Sequence, residues 1–208
     1  MTSAAADPTS LAEDKRRLRK RMRALRLVAD QKEGPEAGLA VIRRALPGLD
    51  DLGLLPGRIV AGYWPIITEL DIRPLLARLE ARGVVCALPA IEPGRDVLVF
   101  RRWRLTEDLV EAPLDTRQPP PSAPEVVPDA LFVPLLAVDG AGRRLGQGKG
   151  WYDRTLAALR SSGDPTAIGV GFHVQRLARV PAGPEDQPMD WILTPESLEK
   201  AQTGRVSQ

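Results

Sequence analysis

Between positions 142 and 154 the chain reads Gly142-Arg143-Arg144-Leu145-Gly146-Gln147-Gly148-Lys149-Gly150-Trp151-Tyr152-Asp153-Arg154. Few folds can carry such a segment. Glycine lets the backbone take conformations closed to other residues and lets a ligand come close to peptide N–H groups. Successive N–H groups in a loop of this kind form an anion-binding nest, and the interleaved cations favour a phosphate. Apolar Leu156 and Leu159 suggest a helix starting near Trp151, so the loop is expected to deliver a phosphate to a helix N-terminus. Asp153 then falls in the first helical turn, available to hold a metal ion beside that phosphate. The spacing is neither that of a Walker A loop nor that of the dinucleotide fingerprint. The rival reading is a flexible glycine turn with solvated charges.

The apolar run Leu131–Val138 feeds this loop as a strand, and the rest of the chain repeats the alternation. Leu18, Met22, Leu25 and Val28 recur at helical spacing between Leu11 and Val28, giving one buried stripe. Gly34-Pro35 breaks that helix, and a second is expected from Glu36 to Leu46, ended by Pro47 and Gly48. Arg58–Trp64 reads as a strand, Asp71–Arg82 as a helix capped by Gly83, and Val84–Leu88 and Val97–Trp103 as strands. Prolines at 113, 119, 120, 121, 124 and 128 forbid a helix or central strand over 111–128. That stretch is expected to be an extended surface connection over one edge of the ligand cleft. Ala167–Phe172 and Trp191–Thr194 complete the core strands. Strands alternating with helices predict an α/β single domain over 11–196: a mostly parallel open sheet flanked by helices, with a basic N-terminal helix. Residues 1–10 and 199–208 are expected to be flexible tails.

At 208 residues the chain is long enough to bury one substantial core. Its net charge of +2 is too small to make nucleic acid the main partner. The single cysteine, Cys86, excludes an intramolecular disulfide and a cysteine-rich metal site, and its apolar surroundings predict an inert buried thiol. The N-terminus lacks the charge pattern of a secretory signal, and no apolar run approaches the roughly 20 residues that span a membrane. A cytoplasmic protein without membrane contact is expected.

In open α/β sheets ligands bind beyond the carboxyl ends of the strands. Here those ends carry Thr68, Glu69 and Asp71, then Asp139 with the glycine loop, then His173 and Gln175. Glu69 and Asp71 could accept from a substrate amide or ring N–H, or Asp71 could simply cap the following helix. Asp190 could be a second carboxylate near the metal or a strand-start residue. The N-terminal helix carries eight basic residues between 15 and 26. It could be a solvated face, could bind nucleic acid, or could lay Lys15 and Arg19, one turn apart, against ATP phosphates. His173, Trp64, Trp103 and Phe172 are read as structural.

With these residues in view, the chain resembles the 5-formyltetrahydrofolate cyclo-ligase family, also called 5,10-methenyltetrahydrofolate synthetase, from about Lys15 to Thr194. Lys15-Arg16-Arg17-Leu18-Arg19 is similar to the family's ATP-contacting N-terminal helix, and Thr68-Glu69-Leu70-Asp71 to its folate-side acidic motif. Val133–Asp139 followed by Gly142–Arg154 resembles its signature, with Phe172, Gln175 and the Asp186–Asp190 pair continuing the pattern. Trp151 stands where tyrosine is common, Leu135 where glycine is usual, Val138 where phenylalanine is usual, Ile72 where threonine is frequent and Glu185 where histidine is frequent.

The resemblance implies ATP-dependent closure of 5-formyltetrahydrofolate to 5,10-methenyltetrahydrofolate, through phosphorylation of the formyl oxygen and attack by N10. It assigns ATP to Lys15, Arg16, Arg19, Arg144, Gly146, Gln147, Gly148, Lys149, Gly150, Trp151 and Tyr152. It assigns folate to Ile66, Glu69, Asp71, Gln147, Trp151 and Tyr152, and catalysis to Arg144, Lys149 and Tyr152. Mg²⁺ would be held by Asp153 and Asp190, and the partners would be ATP and the folate, bound by a monomer. The alternatives are a paralogue using ATP on another formyl or amide-like substrate, and a non-catalytic nucleotide- or RNA-binding protein.

Overall fold

A computed structural model describes residues 8–113 and 116–203. The chain opens with a long helix, α1 (Pro8–Ala45), bent at Gly34, where φ is +29° and ψ is −120°, with Pro35 just beyond. Proline lacks an N–H and its ring clashes with the preceding turn, so the expected break is a kink joining two helical segments. A 3₁₀ turn over Leu46–Gly48 ends the helix. Met22 is fully buried, with Leu18 and Leu25 packed beside it. Val28 departs from the expected stripe: it is 59% exposed, and Ala29 holds the inward position instead. The stripe runs from Met22 through Arg26 to Ala29, steps of four and three residues that stay on one helix face, and Arg26 is buried in it.

The strands follow in chain order as β1 (Ile59–Ala61), β2 (Val85–Ala90), β3 (Val99–Arg102), β4 (Val110–Ala112), β5 (Thr116–Gln118) and β6 (Ala130–Pro134). After these come β7 (Ala137–Asp139), β8 (Arg144–Leu145), β9 (Thr166–Val170), β10 (Arg176–Leu177), β11 (Trp191–Leu193) and β12 (Leu198–Lys200). Two further helices interrupt them, α2 (Arg73–Glu80) and α3 (Trp151–Ser162). Strands β11-β9-β6-β1-β2 run parallel in that order, and antiparallel β12 and β3 close the two edges. This is the α/β, mostly parallel architecture read from the alternation of elements.

Each central strand buries both faces. Ala130 and Phe132 of β6 pack with Val41 and Ile42 of α1 and Leu75 and Leu79 of α2. Leu131 and Val133 point the other way, beneath Leu156 and Leu159 of α3. The chirality of crossovers explains the division. β1 and β6 are neighbours, but β1–α2–β2 steps outward on one side while β6–α3–β9 steps outward on the other. Right-handed crossovers in opposite directions place their helices on opposite faces, and the strand order reverses between β1 and β6. The crevice at such a reversal, beyond the carboxyl ends of the strands, is where ligands bind in sheets of this type.

Three expectations need correction. Leu131–Val138 is not one strand: β6 ends at Pro134, which has no N–H for the ladder, and β7 joins a separate three-stranded sheet with β8 and β10. The proline-rich stretch includes part of an antiparallel ribbon of β4 and β5, in register Val110↔Gln118 and apart from the central sheet. The expected tails are shorter than drawn, because α1 takes in residues 8–10 and β12 takes in 199–200. β12 pairs with β11, and the Lys200 ammonium lies 5.9 Å from the centre of the Trp191 ring. Residues 1–7 and 204–208 of those tails lie outside the described residues. No helix among the described residues is long and apolar enough to cross a membrane.

Candidate functional site

The glycine loop leaves β8 and enters α3 through Gly150, whose φ of +70° is left-handed. Only glycine takes that conformation without steric cost, and no side chain caps the helix start, whose first N–H groups have no intrahelical acceptor. The loop glycines also do something the sequence did not suggest: each makes room for a guanidinium. A Cβ on Gly146 would lie 2.5 Å from Arg144 Nη1, on Gly148 3.2 Å from Arg19 Cζ, and on Gly150 2.6 Å from Arg154 Nη1.

These arginines fasten the loop to its surroundings. Arg19 Nε donates to the Gly146 carbonyl at 3.0 Å, and Arg23 donates twice to Gln147 Oε1, at 3.3 and 3.2 Å. Arg154 donates to the carbonyls of Asp96 (2.6 Å) and Lys149 (3.0 Å), with its guanidinium 5.1 Å from the Trp151 ring centre. Buried Arg144 donates through Nη2 to Asp153 Oδ1 at 2.7 Å, while its buried Nε has no acceptor among the described residues. The Lys149 side chain is different: it is exposed and makes no hydrogen bond or ion pair among the described residues.

The loop forms one wall of a cleft of about 560 Å³, with Tyr63 and Ile66, beyond β1, and Pro89 and Pro134, at the carboxyl ends of β2 and β6, along the strand ends. Opposite chemistry lines this side. Glu69 is 8% exposed. Its Oε2 accepts from Ile66 N at 3.2 Å, and Oε1 from Arg26 at a long 3.5 Å. Burial raises the carboxyl above its ordinary pKa, with Arg26 pulling it back. Burial, then the Glu69 charge, pushes the phenols of Tyr63 and Tyr152 upward as well, so both stay neutral. Tyr63 donates to the Leu70 carbonyl at 2.7 Å. A carboxylate acceptor among neutral rings suits a planar heteroaromatic ligand with ring N–H groups, and the facing loop suits phosphates.

Arg19, Ile66, Glu69 and the whole run from Arg144 to Arg154 line this cleft. Four expected residues do not. Lys15 forms an ion pair with Asp186 at 2.5 Å, and Arg16 lies on the solvent face of α1. Asp71 accepts from Arg73 N at 2.9 Å and pairs with the Arg73 guanidinium at 2.7 Å, beside a neighbouring hollow. It sits just before α2 without being its cap, because Ile72 is the N-cap residue and its side chain makes no capping hydrogen bond. Asp190 accepts from Ala167 N (2.8 Å) and Arg160 (3.1 Å), at the amino ends of β9 and β11. Arg160 follows Asp153 by two turns of α3, about 10 Å along the axis, so Asp190 is held at the carboxyl end of the helix and Asp153 stands at its start.

Glu185 and Asp186 are the acidic residues that reach the cleft near Asp153, and the sequence reading did not make them site residues. The signal for them was the family pattern, in which Asp186 is paired with Asp190 and Glu185 stands at a frequent histidine position. Among the described residues no group of three or more His, Cys, Asp or Glu side chains forms a metal cage. A Mg²⁺ ion held by one or two carboxylates and substrate phosphates needs none, and Asp153 Oδ2 takes no hydrogen bond among the described residues. Of the residues read as structural, Trp103 and Phe172 are buried in the core but Trp64 lines the cleft, while Asp139 and Gln175, expected at the crevice, support the fold instead. Asp139 is fully buried and accepts from the N–H groups of Ala141 and Val180, and Gln175 donates to the carbonyls of Leu135 and Leu136. His173 is exposed beside Glu196 at 3.5 Å. Burial pushes the Cys86 thiol up to about 12, leaving it inert.

The sequence pattern of the 5-formyltetrahydrofolate cyclo-ligase family matches residues 11–195. The 5-formyltetrahydrofolate cyclo-ligase of Mycolicibacterium smegmatis is 33% identical over 177 residues, 82% of this chain and 90% of that one. The enzyme of the same name from Escherichia coli K12 is 28% identical over 186 residues, 87% and 98% of the two chains. The NMR structure of Aquifex aeolicus 5,10-methenyltetrahydrofolate synthetase is similar with a TM-score of 0.73 and 26% identity, over 93% of this chain and 96% of that one. The pattern spans the glycine loop, the acidic turn and the strands between them, and the chain belongs to the 5-formyltetrahydrofolate cyclo-ligase family, a family of ligases.

Proposed function

We propose that the cleft binds ATP and 5-formyltetrahydrofolate together and joins phosphoryl transfer to ring closure. The observation that carries this reading is the pairing of walls: a cationic glycine loop at a helix N-terminus faces buried Glu69 and the neutral phenol of Tyr63, with the neutral phenol of Tyr152 projecting from the start of that helix. The N5-formyl carbon is amide-like and a poor electrophile. Transfer of the γ-phosphoryl group to the formyl oxygen releases ADP and leaves an iminophosphate. N10 attacks that carbon, loses its proton to water, and the C–O bond to phosphate breaks, giving 5,10-methenyltetrahydrofolate and inorganic phosphate.

The protein's part is positioning and charge neutralisation. Loop N–H groups with Lys149, Arg19 and Arg144 hold the phosphates, and Gln147 lies between the two substrates. Glu69 accepts from the pterin ring, while Ile66, Trp151 and Tyr152 enclose it. Asp153 would hold Mg²⁺ against the phosphates, where the ion would neutralise charge built up during transfer. Asp190, at the far end of α3, has no part in this. We take the protein to act as a monomer and place the reaction in the cytoplasm.

The test is to mix purified protein with 5-formyltetrahydrofolate and Mg-ATP and follow the absorbance of the methenyl product. A rise that needs all three components is expected. A flat trace with both ligands bound would move the reading to another formyl or amide-like substrate on the same scaffold.

A further inference from the structure

Five cationic side chains line the cleft: Arg19, Arg117, Arg144, Lys149 and Arg154. Arg19, Arg144 and Arg154 are committed to Gly146, Asp153 and the Asp96 and Lys149 carbonyls. Lys149 and Arg117 alone make no side-chain hydrogen bond or ion pair among the described residues. Lys149 belongs to the phosphate loop. Arg117 is on β5, and it does not pair with Glu111, its register partner on β4. The ribbon that carries it is anchored, because Gln118 Oε1 accepts from Ile91 N, just after β2, at 2.9 Å.

Arg117 also marks one particular end of the cleft. With Trp64 it lines a second hollow of about 490 Å³, whose walls include no residue of the glycine loop. The two hollows therefore meet at Trp64 and Arg117, away from the phosphates. Beyond that junction the second hollow offers no further open cation. Arg73 is held by Asp71 and lies 4.7 Å from the Trp64 ring centre, and the other charged side chains there, Glu107 and Asp108, are acidic.

We propose that Arg117 is a specificity-determining residue that binds a carboxylate of the glutamyl end of the substrate at the Trp64 junction. This rests on the folate reading above. A reduced folate is a planar pterin followed by an aminobenzoyl ring and a glutamate. With the pterin beside Glu69 and the formyl group toward the loop, the carboxylates must leave by the end that lacks phosphate-binding groups. A guanidinium with open donors is the group best suited to take a carboxylate, through two parallel hydrogen bonds. The acidic lining beyond it stops the carboxylate there.

The experiment compares wild type and Arg117→Ala on two substrates: 5-formyltetrahydrofolate and the methylamide of 5-formyltetrahydropteroate. The second keeps both ring systems and has no carboxylate. Turnover and equilibrium binding are measured for each. On the folate, Arg117→Ala is expected to raise KM and Kd about 10- to 100-fold, the loss of a charge-assisted pair, with KM for ATP unmoved. On the methylamide, wild type and variant should coincide. Equal folate KM in both proteins overturns the assignment. So does an equal loss on both substrates, which marks a structural role for the ribbon. Failure of wild type to bind or turn over either compound defeats the folate reading itself, and the assignment with it.

Discussion

Asp153 does two jobs, and they can be separated by choice of substitution. Its Oδ1 accepts from Arg144 at 2.7 Å and from Gln187 N at 3.2 Å, so it neutralises a buried guanidinium as well as facing the cleft. Asp153→Asn keeps an acceptor and removes the charge. It should fold normally and lose turnover on the order of 100-fold or more, because the proposed metal and phosphate charges lose their carboxylate. Asp153→Ala should also lose stability, by about 3 kcal/mol in urea denaturation, the lower end of the range for breaking a buried pair. Near-normal turnover by Asp153→Asn would remove Asp153 from the chemistry. Glu69 gives a second test. Burial raises its folded-state pKa above an unfolded value of about 4.3, so the folded chain binds this proton more tightly than the unfolded chain does. The associated stability is fully present below the unfolded pKa and is lost as pH rises through the folded pKa. Glu69→Gln does not titrate. In denaturation series across the acidic range, wild type should gain on Glu69→Gln as pH falls toward the unfolded value. A difference independent of pH would mean that Glu69 is not shifted.

The element that joins fold to site is the strand–loop–helix unit from β8 to α3, and Gly150 is its pivot. A β-carbon at φ +70° costs about 1–2 kcal/mol, and it would also press Arg154 Nη1 at 2.6 Å. Arg154 is a flexible surface side chain that can swing away, so the backbone cost dominates. Gly150→Ala should therefore lower stability by about 1–2 kcal/mol and weaken nucleotide binding by more than its stability loss suggests, because Arg154 would release Lys149 and Trp151. Unchanged nucleotide affinity in a folded Gly150→Ala protein would show that loop geometry does not matter for binding. This unit was readable in the sequence because glycine, charge and helical spacing are all local signals. α1 was readable for the same reason, down to its kink. Its buried Arg26 was not, since a charge on a helix reads as solvent-facing until its partners are known, and Thr68 and Glu69 lie some forty residues away. Asp190 stays open for a related reason. The sequence offers it as a metal carboxylate or a strand-start residue, and only the pairing of β11 with β9 places it at the amino end of a strand.

Over the whole molecule, the sheet and its two helical layers are stabilised by cores that meet the cleft at residues such as Tyr63, Leu98, Trp151 and Tyr152 but not at its loop cations. The large cores lie between β1, β6 and β9 and the helices on either face, while the cleft opens at the strand ends where the order reverses. Its two unpaired cations, Lys149 and Arg117, add nothing to that framework. Free-protein stability and ligand-induced stability should therefore respond differently to the same substitution. Lys149→Ala removes an exposed ammonium without a partner and keeps the backbone carbonyl that Arg154 uses. Its stability without ligand should stay within about 0.5 kcal/mol of wild type. Mg-ATP at 100 times its wild-type Kd should stabilise the wild type by about 2.7 kcal/mol, a rise of about 5–10 °C for a domain of this size. If Lys149→Ala weakens binding tenfold, the same concentration should give about half that shift. A full shift in the variant would mean that the phosphates do not lie against the loop cation. A fall in melting temperature without ligand would mean that Lys149 supports the fold.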